Sequence, residues 1–239
     1  MIYVVGDSHT GGVGKEKPTD LNYEYKLYSE YLGELFNMEV TNLGHVGQPL
    51  TKSLSKLLTN LKDIIDNGKI VIFQFQFFQN SFLRFKANDL NWKEFAVAGE
   101  NPGGGPIIGI GNWELLKKEG LVNDEDKYHL IHWFWKFEER REYYFMEEIN
   151  ALFESLEKMG IKCYIFYWCK PSIIELIDNH RVIKFDNENG KTIILQEAMG
   201  FHNMTDLRYE TNGVWDDNHL GSNGNKLLAE NIHKYILNN

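Results

Sequence analysis

Four short stretches of this chain hold the residue types that acyl transfer requires. The apolar run Ile2-Tyr3-Val4-Val5 leads directly into Gly6-Asp7-Ser8-His9. A serine hydroxyl is too weakly acidic to attack a carbonyl at neutral pH unless a base takes its proton. Asp216-Asp217-Asn218-His219, just ahead of the last helical pattern, offers that base. His219 can accept the proton at Nε2, while a carboxylate on the other ring nitrogen fixes the tautomer and stabilises the imidazolium. Asp216 lies three residues before His219, close enough for one turn to present both. The developing oxyanion then needs donors already in place. The backbone N–H groups of Ser8 and of Gly47 in "NLGHVG" (residues 42–47), and the side-chain amide of Asn80 in "FFQNS" (77–81), would supply them.

Gly, Asp and Ser are also ordinary turn residues, so the set works only if the surrounding elements bring all four stretches to one rim. Those elements alternate. "IYVV" is a short continuous apolar run, the pattern of a strand buried on both faces. Residues 22–36 carry Tyr25, Tyr28, Leu32, Leu35 and Phe36 at helical spacing, and "MEVTNLG" (38–44) reads as a second strand. Residues 50–65 repeat the helical period through Leu50, Leu54, Leu57, Leu58, Leu61, Ile64 and Ile65. "KIVIFQFQF" (69–77) reads as a third strand and "KCYIFYW" (162–168) as a fourth. A long helix is expected from about Asp126 to Met159, stopped by Gly160, and a last one over "SNGNKLLAENIHKYIL" (222–237). This alternation predicts βαβ crossovers and a parallel sheet covered on both faces. Such sheets bind ligands outside the carboxyl ends of their strands. The chain reads as a single domain over residues 1–239 with two insertions. Residues 85–125 are loop-like and rich in Gly and Pro, and residues 181–196 read as a β-hairpin with Asn-Gly at its turn.

The bulk properties narrow the function classes. The chain has 239 residues, 43% of them hydrophobic and 25% charged, so it can bury a substantial core. A net charge of −9 argues against general nucleic-acid binding, which needs a basic face. No apolar stretch reaches the roughly 18 residues of a membrane span. Asp7 interrupts the first apolar run too early for a signal peptide, so a cytoplasmic location is expected. Cys163 and Cys169 are separated by roughly 20 Å of extended strand and should not pair with each other. His129 and His132 stand three apart on an expected helix, but lack the carboxylate partners of a metal site, and packing suits them better. "GGVGKEKPT" (11–19) has His9 and Glu16 where a phosphate loop needs Gly and Ser or Thr. The sequon Asn203-Met204-Thr205 has meaning only in a secreted chain. No metal or cofactor is expected.

Taken together, the four blocks make the chain resemble the SGNH/GDSL hydrolase family of esterases and lipases, over nearly its whole length. The Gly-Asp-Ser block is Gly6-Asp7-Ser8, the Asn-x-Gly-x-x-Gly block is "NLGHVG", and the Asp-x-x-His block is Asp216 to His219, running on into the final helix. The third block keeps only Asn80, with Phe78 where the family has glycine and Ser81 where it has aspartate. The resemblance implies a three-layer α/β/α flavodoxin-like sandwich and a catalytic set of Ser8, His219 and Asp216, the family spacing favouring Asp216 over Asp217. It implies an oxyanion hole from Ser8, Gly47 and Asn80, with Gly44 second to Gly47 and Gln76 or Gln79 as substitutes for Asn80. The implied reaction is hydrolysis of a carboxylic ester on a small molecule or glycan, such as an O-acetyl group on a carbohydrate, through an acyl-enzyme and without metal. A non-catalytic carbohydrate- or protein-binding module and an acyltransferase are the other readings this scaffold allows. His9, His45 and Gln76 are candidate pocket residues, although His9 adjoins Ser8 and neighbours point apart.

Overall fold

The computed structural model describes residues 1–11, 26–45, 50–75, 81–86, 92–97, 144–168, 180–187, 190–193, 208–211 and 214–239, with residues 117, 118, 120, 123, 125 and 195. Residues 8, 9, 81–86, 92–97, 187, 191, 208–211 and 214–219 are described by their backbone course. Four strands form a parallel sheet: β1 (Ile2–Val5), β2 (Val40–Asn42), β3 (Ile70–Phe75) and β6 (Lys162–Tyr167), in the order β2-β1-β3-β6. Val182 adds an isolated parallel bridge to Ile165 on the outer side of β6. Strand order reverses between β1 and β3, so a crevice is expected at their carboxyl ends.

Alternation along the strands divides the core in two. Ile2, Val4, Ile70, Ile72, Tyr164 and Phe166 face α2 (Tyr28–Phe36) and α6 (Ser222–Leu237). Tyr3, Val5, Val71, Phe73, Ile165 and Tyr167 face α3 (Leu50–Thr59), α4 (Leu61–Asn67) and α5, the helical residues 144–158. The result is the three-layer α/β/α arrangement. Among the described residues no helix is long and apolar enough to cross a membrane.

Several sequence expectations need correction. The helix expected over 22–36 begins at Tyr28, with Lys26 and Leu27 outside it. The helix expected over 50–65 is two, because Asn60 leaves the helical path and starts α4. Leu35, Leu58 and Ile65, assigned to apolar faces by their spacing, are exposed. The expected loop at 85–125 contains strand: β4 (Ser81–Lys86) and β5 (Trp92–Val97) form an antiparallel pair. The segment before the last helix is also strand, with β10 (Val214–Leu220) antiparallel to β9 (Arg208–Thr211). The hairpin expected at 181–196 is present as β7 (Phe185–Asn187) and β8 (Gly190–Thr192), while Val182 joins the main sheet instead. Of the long helix expected from Asp126, residues 144–158 are helical and the part before Tyr144 lies outside the described residues.

Candidate active site

Ser8 is the first residue of α1 (Ser8–Gly11), a four-residue helix separated from the end of β1 by Gly6 and Asp7. The Asp7 carbonyl anchors this turn, accepting the N–H of Thr10 at 3.1 Å and of Gly11 at 2.7 Å. Ser8 therefore sits at the carboxyl end of β1, beside the switch point. Beneath it lies a buried polar chain. Gln74 of β3 is fully buried and donates from Nε2 to Asp7 Oδ1 at 2.8 Å. Thr10 donates its hydroxyl to Gln74 Oε1, and the phenol of Tyr28 lies 2.9 Å from Thr10 Oγ1. Buried polar groups are costly unless paired, and here each finds its partner within the set. Burial pushes the Tyr28 phenol well above the ordinary tyrosine range, the Thr10 hydrogen bond opposing that shift and the nearby Asp7 charge adding to it.

The end of β2 packs directly onto α1. Asn42 donates from Nδ2 to the Thr10 carbonyl at 2.7 Å and to Ser29 Oγ at 3.1 Å. Its Oδ1 accepts the Gly44 N–H at 2.8 Å. Gly44 thus spends its amide on an Asn42 turn, which removes it as the second-choice oxyanion donor. Its glycine identity has a different cause: a Cβ on Gly44 would fall 2.6 Å from the Gly11 nitrogen, and one on Gly11 would fall 2.7 Å from the His45 backbone. The two backbones touch. The His45 N–H donates to the Gly6 carbonyl at 3.4 Å, while its side chain is exposed at the rim. Lys56 of α3 caps the Leu43 carbonyl at 3.1 Å, and burial followed by repulsion from Lys52 lowers its pKa.

Asp216, Asp217 and His219 lie on β10. Residues three apart on a regular strand point to opposite faces. β10 is not regular there: Asp216 pairs with Tyr209 and Leu220 pairs with the next residue, Arg208, so the strand bulges between them. The backbones of α1 and β10 come within 8 Å of each other, Cα to Cα. Gly47, Gln76, Gln79 and Asn80, along with His129, His132 and Cys169, lie outside the described residues.

The buried polar partners Gln74 and Thr10, and the role of the Tyr28 hydroxyl, escaped the sequence reading. Only Gln74 carried a signal, a polar residue inside a strand whose neighbours are apolar on both faces. No family model matches this chain, and no curated protein does. A solved structure from Desulfitobacterium hafniense DCB-2, described as a "putative lipolytic protein of G-D-S-L family", is similar over 98% of both chains with a TM-score of 0.39 and 14% identity.

Proposed function

We propose that this protein is a serine hydrolase of the SGNH type that cleaves carboxylic esters. One observation carries the reading: Ser8 opens α1 at the β1/β3 switch point, and the bulged strand bearing Asp216 and His219 approaches that same short helix. Ser8 Oγ attacks the ester carbonyl carbon, and His219 Nε2 takes the hydroxyl proton. Collapse of the tetrahedral intermediate breaks the bond to the alcohol oxygen, which leaves with the proton that His219 returns. Water, deprotonated by His219, then attacks the acyl-Ser8 ester; the acyl carbon–Oγ bond breaks, His219 returns the proton to Ser8 Oγ, and the acid leaves. Asp216 holds the imidazole through Nδ1 and balances its charge. The Ser8 N–H, as the first amide of a helix, has no intrahelical acceptor and serves as one oxyanion donor, with the Gly47 N–H and Asn80 amide as the others. A short acyl group, such as acetate on a sugar, is the first substrate to try.

The test is hydrolysis of p-nitrophenyl acetate together with labelling by a fluorophosphonate probe. Wild type is expected to hydrolyse and label, and Ser8→Ala to do neither. Equal hydrolysis by both proteins would overturn the nucleophile assignment.

A further inference from the structure

β10 pairs with β9, and among the described residues neither belongs to the four-stranded sheet. No ladder hydrogen bond among them therefore fixes the His219 strand relative to the Ser8 turn at the end of β1. Among the described residues, Tyr28 is hydrogen-bonded toward both sides. Tyr28 is fully buried at the start of α2. Its backbone N–H donates to Asn225 Oδ1 at 3.1 Å. Asn225, also buried, donates from Nδ2 to the carbonyls of Leu220 and Gly221 at 3.1 Å each. Leu220 directly follows His219.

At its other end the Tyr28 phenol meets Thr10, two residues past Ser8. The direction of this link is determined. A threonine hydroxyl has one proton, and Thr10 gives it to Gln74, so Tyr28 donates to Thr10. Gln74 in turn donates to Asp7 on the other side of Ser8. The Tyr28 ring already packs edge-on against Phe166 at 5.8 Å, a contact phenylalanine would make equally well. The hydroxyl, costly to bury, is explained by the link.

We propose that Tyr28 is a positioning residue that couples the Ser8 turn to the His219 strand, holding one through Thr10 and the other through Asn225. The proposal rests on the reading of Ser8 and His219 as a reacting pair. Tyr28→Phe keeps the ring and removes the link. With p-nitrophenyl acetate, kcat is expected to fall roughly 10- to 100-fold with KM within about twofold, as for a misplaced but intact catalytic group. Fluorophosphonate labelling of Ser8 slows by the same factor. Thr10→Val, which also deprives Gln74 Oε1 of its donor, loses at least as much, Thr10→Ser keeps most of the activity, and the double variant Tyr28→Phe/Thr10→Val is no slower than Thr10→Val alone, because the Tyr28–Thr10 link is already broken there. A Tyr28→Phe kcat within about twofold of wild type, below the loss that misplacement brings, overturns the proposal, and so do additive losses in the double variant. Amide hydrogen exchange separates this from failure of the esterase reading. A wild type that neither hydrolyses nor labels overturns the esterase. Exchange then decides the coupling: faster exchange in Tyr28→Phe at both residues 7–11 and residues 220–225 supports it, and faster exchange at one alone or at neither overturns it.

Discussion

Gly6 occupies a place where no side chain fits: a Cβ there would lie 2.3 Å from Thr10 Oγ1 and 2.5 Å from Gln74 Oε1. Neither atom can yield without breaking a hydrogen bond in the buried chain that ends on Asp7. Gly6→Ala is therefore expected to cost roughly 1–3 kcal/mol, as overpacking does, and to slow fluorophosphonate labelling at Ser8. Urea unfolding measures the first and a labelling time course the second; a stable variant that labels at the wild-type rate would show that the turn tolerates displacement. The residues proposed to react stand out in the sequence because chemistry restricts their types, and Ser, His and Asp at those spacings have few other joint uses. Their supports do not. Thr10, Tyr28 and Asn225 are ordinary residue types for helix starts, and what gives them meaning is pairing across 18 to 197 positions of sequence. Asn42, placed by the sequence only in the second strand and its glycine block, also ties α1 to α2.

The elements read correctly were those whose local pattern and tertiary role agree. Continuous apolar runs became the parallel strands, and the last helix runs over the expected residues 222–237. α5 ends as Gly160 predicted, with φ +83° and paired bonds from Gly160 N–H to the Glu157 carbonyl and from Ile161 N–H to the Leu156 carbonyl. β10 was misread because Asp216, Asp217 and Asn218 favour turns; pairing with β9 overrides a weak strand preference. Near the end of α5, Glu157 receives a two-pronged hydrogen bond from Arg181, at 3.0 Å from Nε and 2.7 Å from Nη2. The Arg181 side chain is only 6% exposed. Glu157→Ala leaves that guanidinium buried with the Asn150 side chain at 3.3 Å, and should destabilise the protein by about 3 kcal/mol. The pair lies away from the carboxyl edge of the sheet, so p-nitrophenyl acetate turnover well below the melting temperature should hold. A loss of turnover without a loss of stability would contradict this division of roles.

At the scale of the whole molecule, the buried hydroxyl and thiol groups set how the fold responds to alkali. Burial raises the pKa of Tyr3, Tyr28, Tyr164, Tyr235 and Cys163. Tyr3 is raised further by donating to Asp63 at 2.5 Å. Each group is neutral in its protonated form and holds its proton more tightly when folded. Its contribution to stability is therefore fully present below the unfolded value, about pH 8.5 for the thiol and 10 for a phenol, and is lost as pH climbs toward the folded value. On the acid side the sign reverses. Asp63 is held low by hydrogen bonds from Tyr3 and Asn67, and Glu154 by Lys158, so their contribution is lost as pH falls through the folded values. Both carboxylates are exposed, and that slope should be shallow. The urea midpoint is expected to stay nearly flat from about pH 6 to 8 and to drop steeply above about pH 9 to 10. Tyr28→Phe sharpens the test, because it removes one buried acid. The variant should be less stable than wild type at neutral pH, where its link to Thr10 is missing, yet lose stability less steeply above pH about 10. An identical alkaline slope in the two proteins would mean that the Tyr28 phenol ionises as readily inside the fold as outside it.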